Sequence, residues 1–383
     1  MTEKLYDNDS FLKKFSAVVL SCEKTENGFA VILDKTAFFP EAGGQKSDRG
    51  FIDGVRVFDV KTEDETIIHY TEKELECGKN VNCEIDFVRR FDFMQQHSGE
   101  HIVSGVAHSL FGCENVGFHL SENIVTLDFD KNLSSDDLNL LEQRVNEKIY
   151  DNVKFITYYP DDETLKTLNY RSKKELSEKI RIVEIEDTDM CACCAPHVKT
   201  SGQVGLVKFL AVEKIRGGTR IEIACGKRAF DSFCKTYKTV SHISNLLCVK
   251  TNECAAGVDR LFKENSDLRY KLSGFNKQIL ENIALEYQPK CDSTAEFFDN
   301  FDMKEIQMLS DMLYKKHGGI RGVFSAKDGG FSFAVCSDEE KLSVFFKQFK
   351  EKFSVRGGGR NGMVQGSLTA QKNEITEFFE KYL

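Results

Sequence analysis

Two histidines four residues apart, His97 and His101, lie in a stretch of helical character, with Met94-Gln95-Gln96 before them and Ile102-Val103-Ser104-Gly105 after. Side chains at this spacing share one face of a helix, one turn apart, so both imidazoles can aim at one ion. Far along the chain, the run Met190-Cys191-Ala192-Cys193-Cys194-Ala195-Pro196-His197 holds Cys193 and His197 at the same spacing. Three nitrogens and one thiolate suit Zn²⁺. Two distant segments that must close around one ion constrain the fold more tightly than any compositional bias. Cys191 and Cys194 compete for the thiolate role, but only Cys193 stands four residues before His197. His69 and His119 have no partner at ligand spacing and read as structural.

With 383 residues the chain has room for two or three domains with cores of their own. Its 41% hydrophobic and 30% charged content is that of a soluble globular protein. There is no apolar run of membrane-spanning length and no basic-then-apolar start, so a cytoplasmic protein without a membrane partner is expected. In that reducing setting most of the 13 cysteines are small buried hydrophobes, the 191–194 cluster excepted. A net charge of −9 argues against a general nucleic-acid binder. The charge is nonetheless uneven. From Leu206 to Arg228 six basic residues, Arg216 and Arg220 among them, face two acidic ones, and from Phe345 to Arg360 five face one. Such patches can meet a structured RNA while the rest of the surface repels polyanions; ordinary solvated lysines would look the same.

Read in order, the chain is α+β. Residues 1–90 contain short β-rich runs (15–22, 28–33, 55–60, 66–70, 81–85) separated by turn residues, the pattern of a small β-barrel. Residues 91–228 read as an α+β sandwich holding the His and Cys pairs, with a helix over 134–150 and an antiparallel strand pair near 205–212 and 219–225. Residues 229–288 form a helical spacer, in which Leu261, Leu268, Leu272, Phe275 and Ile279 recur at steps of three, four or seven with Asn265 in the seam. After Gln288-Pro289-Lys290, residues 289–383 alternate helix and strand as a small α/β domain.

Two further motifs bear on chemistry. In Thr36-Ala37-Phe38-Phe39-Pro40-Glu41-Ala42-Gly43-Gly44-Gln45 the glycines let backbone approach a ligand, and Thr36 and Gln45 offer hydrogen bonds, although a plain glycine turn would read the same. His97-Ser98-Gly99-Glu100-His101 also fits H-x-x-E-H, in which the glutamate is the general base of a zinc peptidase.

Taken together, Thr36-x-Phe38-Phe39-x-Glu41-x-Gly43-Gly44-Gln45, Arg90-x-x-x-Met94-Gln95-Gln96-His97-x-x-x-His101, Cys193-x-x-x-His197 with Gly202-x-x-Gly205, and Arg356-Gly357-Gly358-Gly359-Arg360 with Met363 and Gln365-Gly366 resemble the alanyl-tRNA editing proteins of the long form. The last block is similar to a C-terminal domain that alanyl-tRNA synthetases share with DHH-type phosphoesterases. The resemblance implies hydrolysis of tRNA(Ala) wrongly charged with serine or glycine. It implies zinc on His97, His101, Cys193 and His197, and a pocket for the aminoacyl-adenosine end built from Thr36, Gln45 and the Gly43-Gly44 turn, with Glu100 able to orient water. Arg216 and Arg220 are set against phosphate on charge alone. Arg356 to Arg360 would grip the outer corner (elbow) of the tRNA, and the spacer or the C-terminal domain could join two copies as a homodimer. The tripeptide Cys194-Ala195-Pro196 departs from the small Gly-Gly-Thr type common in that family, which bears on the amino-acid pocket. Two other readings stand beside it: the H-x-x-E-H peptidase, and a non-catalytic zinc protein that binds tRNA.

Overall fold

The computed structural model describes residues 2–172, 180–327 and 329–382. Their contacts divide the chain into two units, Met1–His242 and Ile243–Leu383.

In the first unit, strands β1 (Lys14–Thr25), β2 (Gly28–Leu33), β3 (Gly50–Ile52), β4 (Val55–Glu63), β5 (Thr66–Thr71) and β6 (Asn80–Ile85) close in the order β1-β2-β5-β4-β3-β6. The period-two burial of β5 and β6, with Ile67, His69 and Thr71 or Val81, Cys83 and Ile85 inward, fills the interior. Helix α1 (Phe87–Phe111) leaves the last barrel strand directly. The Asp86 side chain accepts the Arg89 N–H at its start, and Gly112 in the left-handed region ends it. From Phe93 to Ala107 the helix is buried throughout, because it lies between layers rather than on the surface.

Beyond α1 stand β7 (Asn115–Leu120), β8 (Val125–Phe129), helix α2 (Ser135–Tyr150), β9 (Phe155–Tyr158), β10 (Ile182–Ile185), β11 (Asp189–Ala192), β12 (Val207–Ile215) and β13 (Gly218–Cys225). They form a four-stranded sheet β12-β13-β8-β7 and a three-stranded sheet β9-β10-β11. One core joins α1, α2 and these sheets; a second fills the barrel, and Cys193 packs against both. Buried side chains fix α1 between them. Arg90 donates to Asp48, to the Ala37 carbonyl and to the Ser10 carbonyl, tying the helix to the barrel side. Gln96 donates to the Cys225 carbonyl at 2.9 Å and accepts its N–H at 2.8 Å, as a neighbouring strand would. At Gly99 a Cβ would stand 2.3 Å from Cys225 Sγ, so the absence of a side chain lets α1 press onto β13 between the two histidines.

In the second unit, helix α3 (Cys254–Glu286) buries Leu280 and Ala284 with Ile306, Leu309 and Leu313 of α4 (Met303–His317). The strands β14 (Ser293–Phe298), β15 (Ile320–Lys327), β16 (Gly330–Cys336), β17 (Ser354–Arg360) and β18 (Met363–Thr369) order as β14-β15-β16-β18-β17. Helices α5 (Glu339–Lys352) and α6 (Lys372–Lys381) bring Phe345, Phe349 and Phe379 onto Phe324 and Phe333 of the sheet. Among the described residues no helix is long and apolar enough to cross a membrane.

Candidate metal centre

His97, His101, Cys193 and His197 converge: one ligand atom from each lies within 4.8 Å of all the others. The histidines of α1 meet as the helical spacing requires, with ring centroids 5.4 Å apart, and the His197 ring stands 4.9 Å from His97 and 4.6 Å from His101. Cys193 and His197 reach the same point by another route. Their segment follows β11 as irregular chain through Pro196, so the four-residue spacing has no helical basis there. The neighbouring thiols stand outside this set of four: Cys191 is buried with His101 and Asp189 in a second group whose ligand atoms also lie within 4.8 Å of one another, and Cys194 Sγ lies 3.5 Å from where a Cβ on Gly43 would stand.

A cation fits these donors. Zinc held tetrahedrally at about 2.05 Å from nitrogen and about 2.3 Å from sulfur needs an N···S edge of about 3.6 Å. Cys193 Sγ lies 3.6 Å from His97 Nε2 and 3.4 Å from His197 Nε2. The other ring nitrogen of each histidine is held from behind. His97 Nδ1 donates to Gln45 Oε1 at 3.1 Å, His101 Nδ1 donates to Asp189 Oδ2 at 3.0 Å, and His197 Nδ1 stands 3.0 Å from Ser98 Oγ. An amide oxygen and a carboxylate can only accept, so the proton sits on Nδ1 and the Nε2 lone pair faces inward, the arrangement a metal ligand needs. Arg171 clamps Asp189 through two hydrogen bonds of 2.7 and 2.8 Å. Burial would raise the Asp189 carboxyl, but the bonds from His101 and Arg171 more than offset it and hold it below the usual carboxylate range.

Burial, with His101 and His97 alongside, holds His197 well below the usual imidazole range and so neutral. Burial pushes the Cys193 thiol up. Without a cation the thiol keeps its proton, and metal uptake releases it.

The glycine loop arrives from the barrel side. Ala42 and Gln45 exchange backbone hydrogen bonds around Gly43 and Gly44, whose φ values of 60° and 81° define a two-residue turn that side chains resist. A Cβ on Gly43 would meet Cys194 Sγ and His97, and one on Gly44 would meet Phe118, whose ring packs 5.0 Å from His97. Gln45 is fully buried, and its Nε2 has no hydrogen-bond partner among the described residues.

The remaining candidate residues stand elsewhere or are already engaged. Thr36 Oγ1 bonds His69 Nε2 at 2.8 Å and accepts the Phe38 N–H, so its hydroxyl is used inside the barrel. Glu100 is buried; its Oε1 accepts from Ser104 and Asn115, and its Oε2 lies 3.9 Å from His101 Nε2. Arg220 stands opposite Asp128 across β8 and β13 and grips it through two hydrogen bonds, which answers its charge without phosphate. Arg216 is exposed on the turn between β12 and β13. Arg356 to Arg360 form the exposed edge strand β17 of the second unit. The orienting groups Ser98, Asp189 and Arg171 carry no spacing signal in the sequence.

Two family models match the chain. That of class II (A) tRNA synthetases covers residues 6–89, and that of the threonyl and alanyl tRNA synthetase second additional domain covers residues 180–222. The two matched segments lie on either side of the helix that carries His97 and His101. An alanyl-tRNA editing protein Aarsd1 of Danio rerio is 27% identical, over 94% of this chain and 93% of its own length. The alanyl-tRNA editing protein AlaX-L of Pyrococcus horikoshii is 25% identical over 98% and 96% respectively. An alanine–tRNA ligase of Pyrococcus furiosus is 29% identical over 96% of this chain but only 42% of its own length. Along nearly its whole length, the chain is similar to these alanyl-tRNA editing proteins.

Proposed function

We propose that the chain is a trans-editing hydrolase that cleaves the ester of mischarged tRNA(Ala), with Ser-tRNA(Ala) as principal substrate and Gly-tRNA(Ala) as a second. The observation that carries this reading is the convergence of three imidazoles and one thiol against the Gly43-Gly44 turn, in a chain whose full-length relatives are alanyl-tRNA editing proteins. His97, His101, Cys193 and His197 would hold zinc, which when bound supplies a Lewis acid beside the ester carbonyl. Water adds to that carbonyl and the ribose hydroxyl leaves, giving free amino acid and uncharged tRNA.

This chain's own groups bind and select. The Gly43-Gly44 backbone admits the terminal ribose, with the Phe118 ring beside it. Gln45 spends its amide oxygen on His97 and keeps a buried donor for the serine hydroxyl or the ester. A site that hydrogen-bonds a substrate hydroxyl discriminates strongly against the analogue that lacks it, here alanine. Glu100 would orient water, its carboxylate held by Ser104 and Asn115. On this reading residues 1–90 carry the glycine loop, 91–228 hold the metal, 229–288 are a spacer and 289–383 bind the tRNA elbow through Arg356 and Arg360, in a cytoplasmic protein.

One observation favours a second reading. Four pre-oriented protein donors make a closed set of the kind structural zinc sites use. Under that reading the chain binds tRNA without turnover. Deacylation of Ser-tRNA(Ala) and Ala-tRNA(Ala) by wild type and Cys193→Ala decides between them. Editing requires rapid loss of the seryl ester, sparing of the alanyl ester and a fall of at least about 100-fold in the variant; wild-type binding without hydrolysis would overturn it.

A further inference from the structure

The segment that carries two of the four donors has no regular structure of its own. Residues 193–197 follow β11 without helix or strand, and Pro196 has no N–H to donate. The carbonyls of such a segment need partners from elsewhere. Arg181 supplies two of them. It stands one step beyond the Ile182–Ala192 pair of the β10–β11 ladder, and its own carbonyl accepts the Cys193 N–H at 3.0 Å. Its Nη1 donates to the Cys193 carbonyl at 3.1 Å and to the Ala195 carbonyl at 2.9 Å. The Arg181 side chain is 5% exposed and Ala195 is fully buried, so water cannot take over these bonds.

The guanidinium is itself held from the barrel side. Asp7 Oδ1 lies 3.8 Å from Arg181 Nε, and Asp7 Oδ2 accepts the Tyr159 hydroxyl at 2.9 Å. Asp7 belongs to an N-terminal segment pinned to the barrel. Thr2 Oγ1 donates to the Leu33 carbonyl at 2.8 Å, and the buried Tyr6 ring meets Phe39 edge-on at 5.4 Å. From the same segment Ser10 Oγ donates to the His197 carbonyl at 2.8 Å. The carbonyls of Cys193, Ala195 and His197 thus all accept from side chains outside the loop, two of them from one arginine.

We propose that Arg181 is a positioning residue for the metal. Acting through the backbone of residues 193–195, it fixes where Cys193 Sγ and His197 Nε2 stand relative to His97 and His101, and Asp7 acts through it. The inference rests on the metal reading of the four donors. His97 and His101 need no such brace, because one helix sets their spacing. The apolar packing of β10 falls to Val183 and Ile185, which lie in the sandwich core, and Arg181 adds nothing to that core. Its two N–H groups on one planar nitrogen suit two carbonyls at a fixed separation, which a lysine on its flexible stem does not reproduce.

Metal uptake by the full chain tests this without tRNA, so a failure of the editing reading leaves the outcome untouched. Chelator competition gives the zinc affinity, and cobalt(II) loading reports the sulfur donor through its thiolate-to-metal absorption. Circular dichroism and urea unfolding confirm that each variant folds. Arg181→Gln is expected to lower zinc affinity at least about tenfold and to weaken the cobalt–thiolate absorption. Asp7→Asn changes a partly exposed side chain, keeps the fold and lowers the affinity about threefold. The two together lose no more than Arg181→Gln alone, because Asp7 acts through Arg181. Leu141→Ala opens a cavity in the sandwich core from α2; it loses stability but keeps zinc affinity within about twofold of wild type. Wild-type affinity in either single variant overturns the proposal, as does an equal loss in Leu141→Ala or a double variant whose loss is the sum of the single ones. A wild type that takes up no zinc overturns the metal centre as a whole, a result distinct from zinc held equally by wild type and Arg181→Gln.

Discussion

Replacing Gly99 by alanine puts a methyl group where the structure has no room. Its carbon would stand 2.3 Å from Cys225 Sγ, 3.3 Å from Cys225 Cβ and 3.4 Å from Val207 Cγ2. Cys225 and Val207 are fully buried in the sandwich core, so neither can swing into solvent. Relief has to come from moving α1 off β13, and overpacking of this size costs about 1–3 kcal/mol. Because Gly99 lies midway between His97 and His101, the same displacement shifts two of the four proposed metal donors relative to Cys193. Removing the obstructing sulfur with Cys225→Ala costs about 1 kcal/mol alone as a small cavity. In the double variant the new methyl occupies part of that space, so the two changes are expected to couple favourably by about 1–2 kcal/mol. Urea unfolding of the four proteins gives the coupling, and chelator competition gives the zinc affinity, which should fall in Gly99→Ala and recover in the pair. Additivity within about 0.5 kcal/mol would refute the reasoning.

Asp189→Asn weakens the grip on His101 Nδ1 and frees Arg171; zinc affinity should fall about 10- to 100-fold by chelator competition while the fold persists. His69 is held by burial at a pKa of about 4 against an unfolded value of 6.5. The unfolded chain therefore takes up a proton that the folded chain refuses. The stability from this group is complete above pH 6.5 and falls with pH toward 4, by about 3 kcal/mol at most. Urea midpoints between pH 8 and 5 should drop less in His69→Gln, and equal slopes would contradict the assignment. Arg220→Gln breaks only the partly exposed pair with Asp128 and should leave deacylation within about twofold, whereas Arg356→Ala/Arg360→Ala should weaken tRNA binding and flatten its salt dependence by about one to two ions.

What could be read beforehand depended on whether a contact is local. His97 and His101 are close because a helix makes them so, and the long apolar-rich run around them announced that helix. Gly28–Leu33 and Thr66–Thr71 show themselves as strands through β-rich runs of ordinary length. Asp189–Ala192 did not, since Asp-Met-Cys-Ala lacks the β-branched and aromatic residues that signal a strand; its pairing with Ile182–Ile185 makes it one. Asp189, Ser98 and Gln45 orient the three imidazoles through contacts spanning 88, 99 and 52 residues, so only the fold brings them into view. Arg220 shows the converse limit: its charge suggested phosphate, and the register that also sets it opposite Asp128 is invisible until the strands pair. Thr36 likewise looks available beside the glycines, yet His69 lies across the barrel to engage it. In the tail, Arg356-Gly357-Gly358-Gly359-Arg360 holds no β-branched or aromatic residue to signal a strand, and its pairing with Met363–Thr369 makes it part of an edge strand.

The claim on which the rest depends is that His97, His101, Cys193 and His197 all bind one ion. X-ray absorption at the zinc edge of the metal-loaded full chain tests it directly. The geometry predicts three nitrogen scatterers at about 2.0–2.1 Å and one sulfur at about 2.3 Å, with the sulfur shell lost in Cys193→Ala. Two or more sulfurs, which would recruit Cys191 or Cys194, or a shell without sulfur, would contradict it.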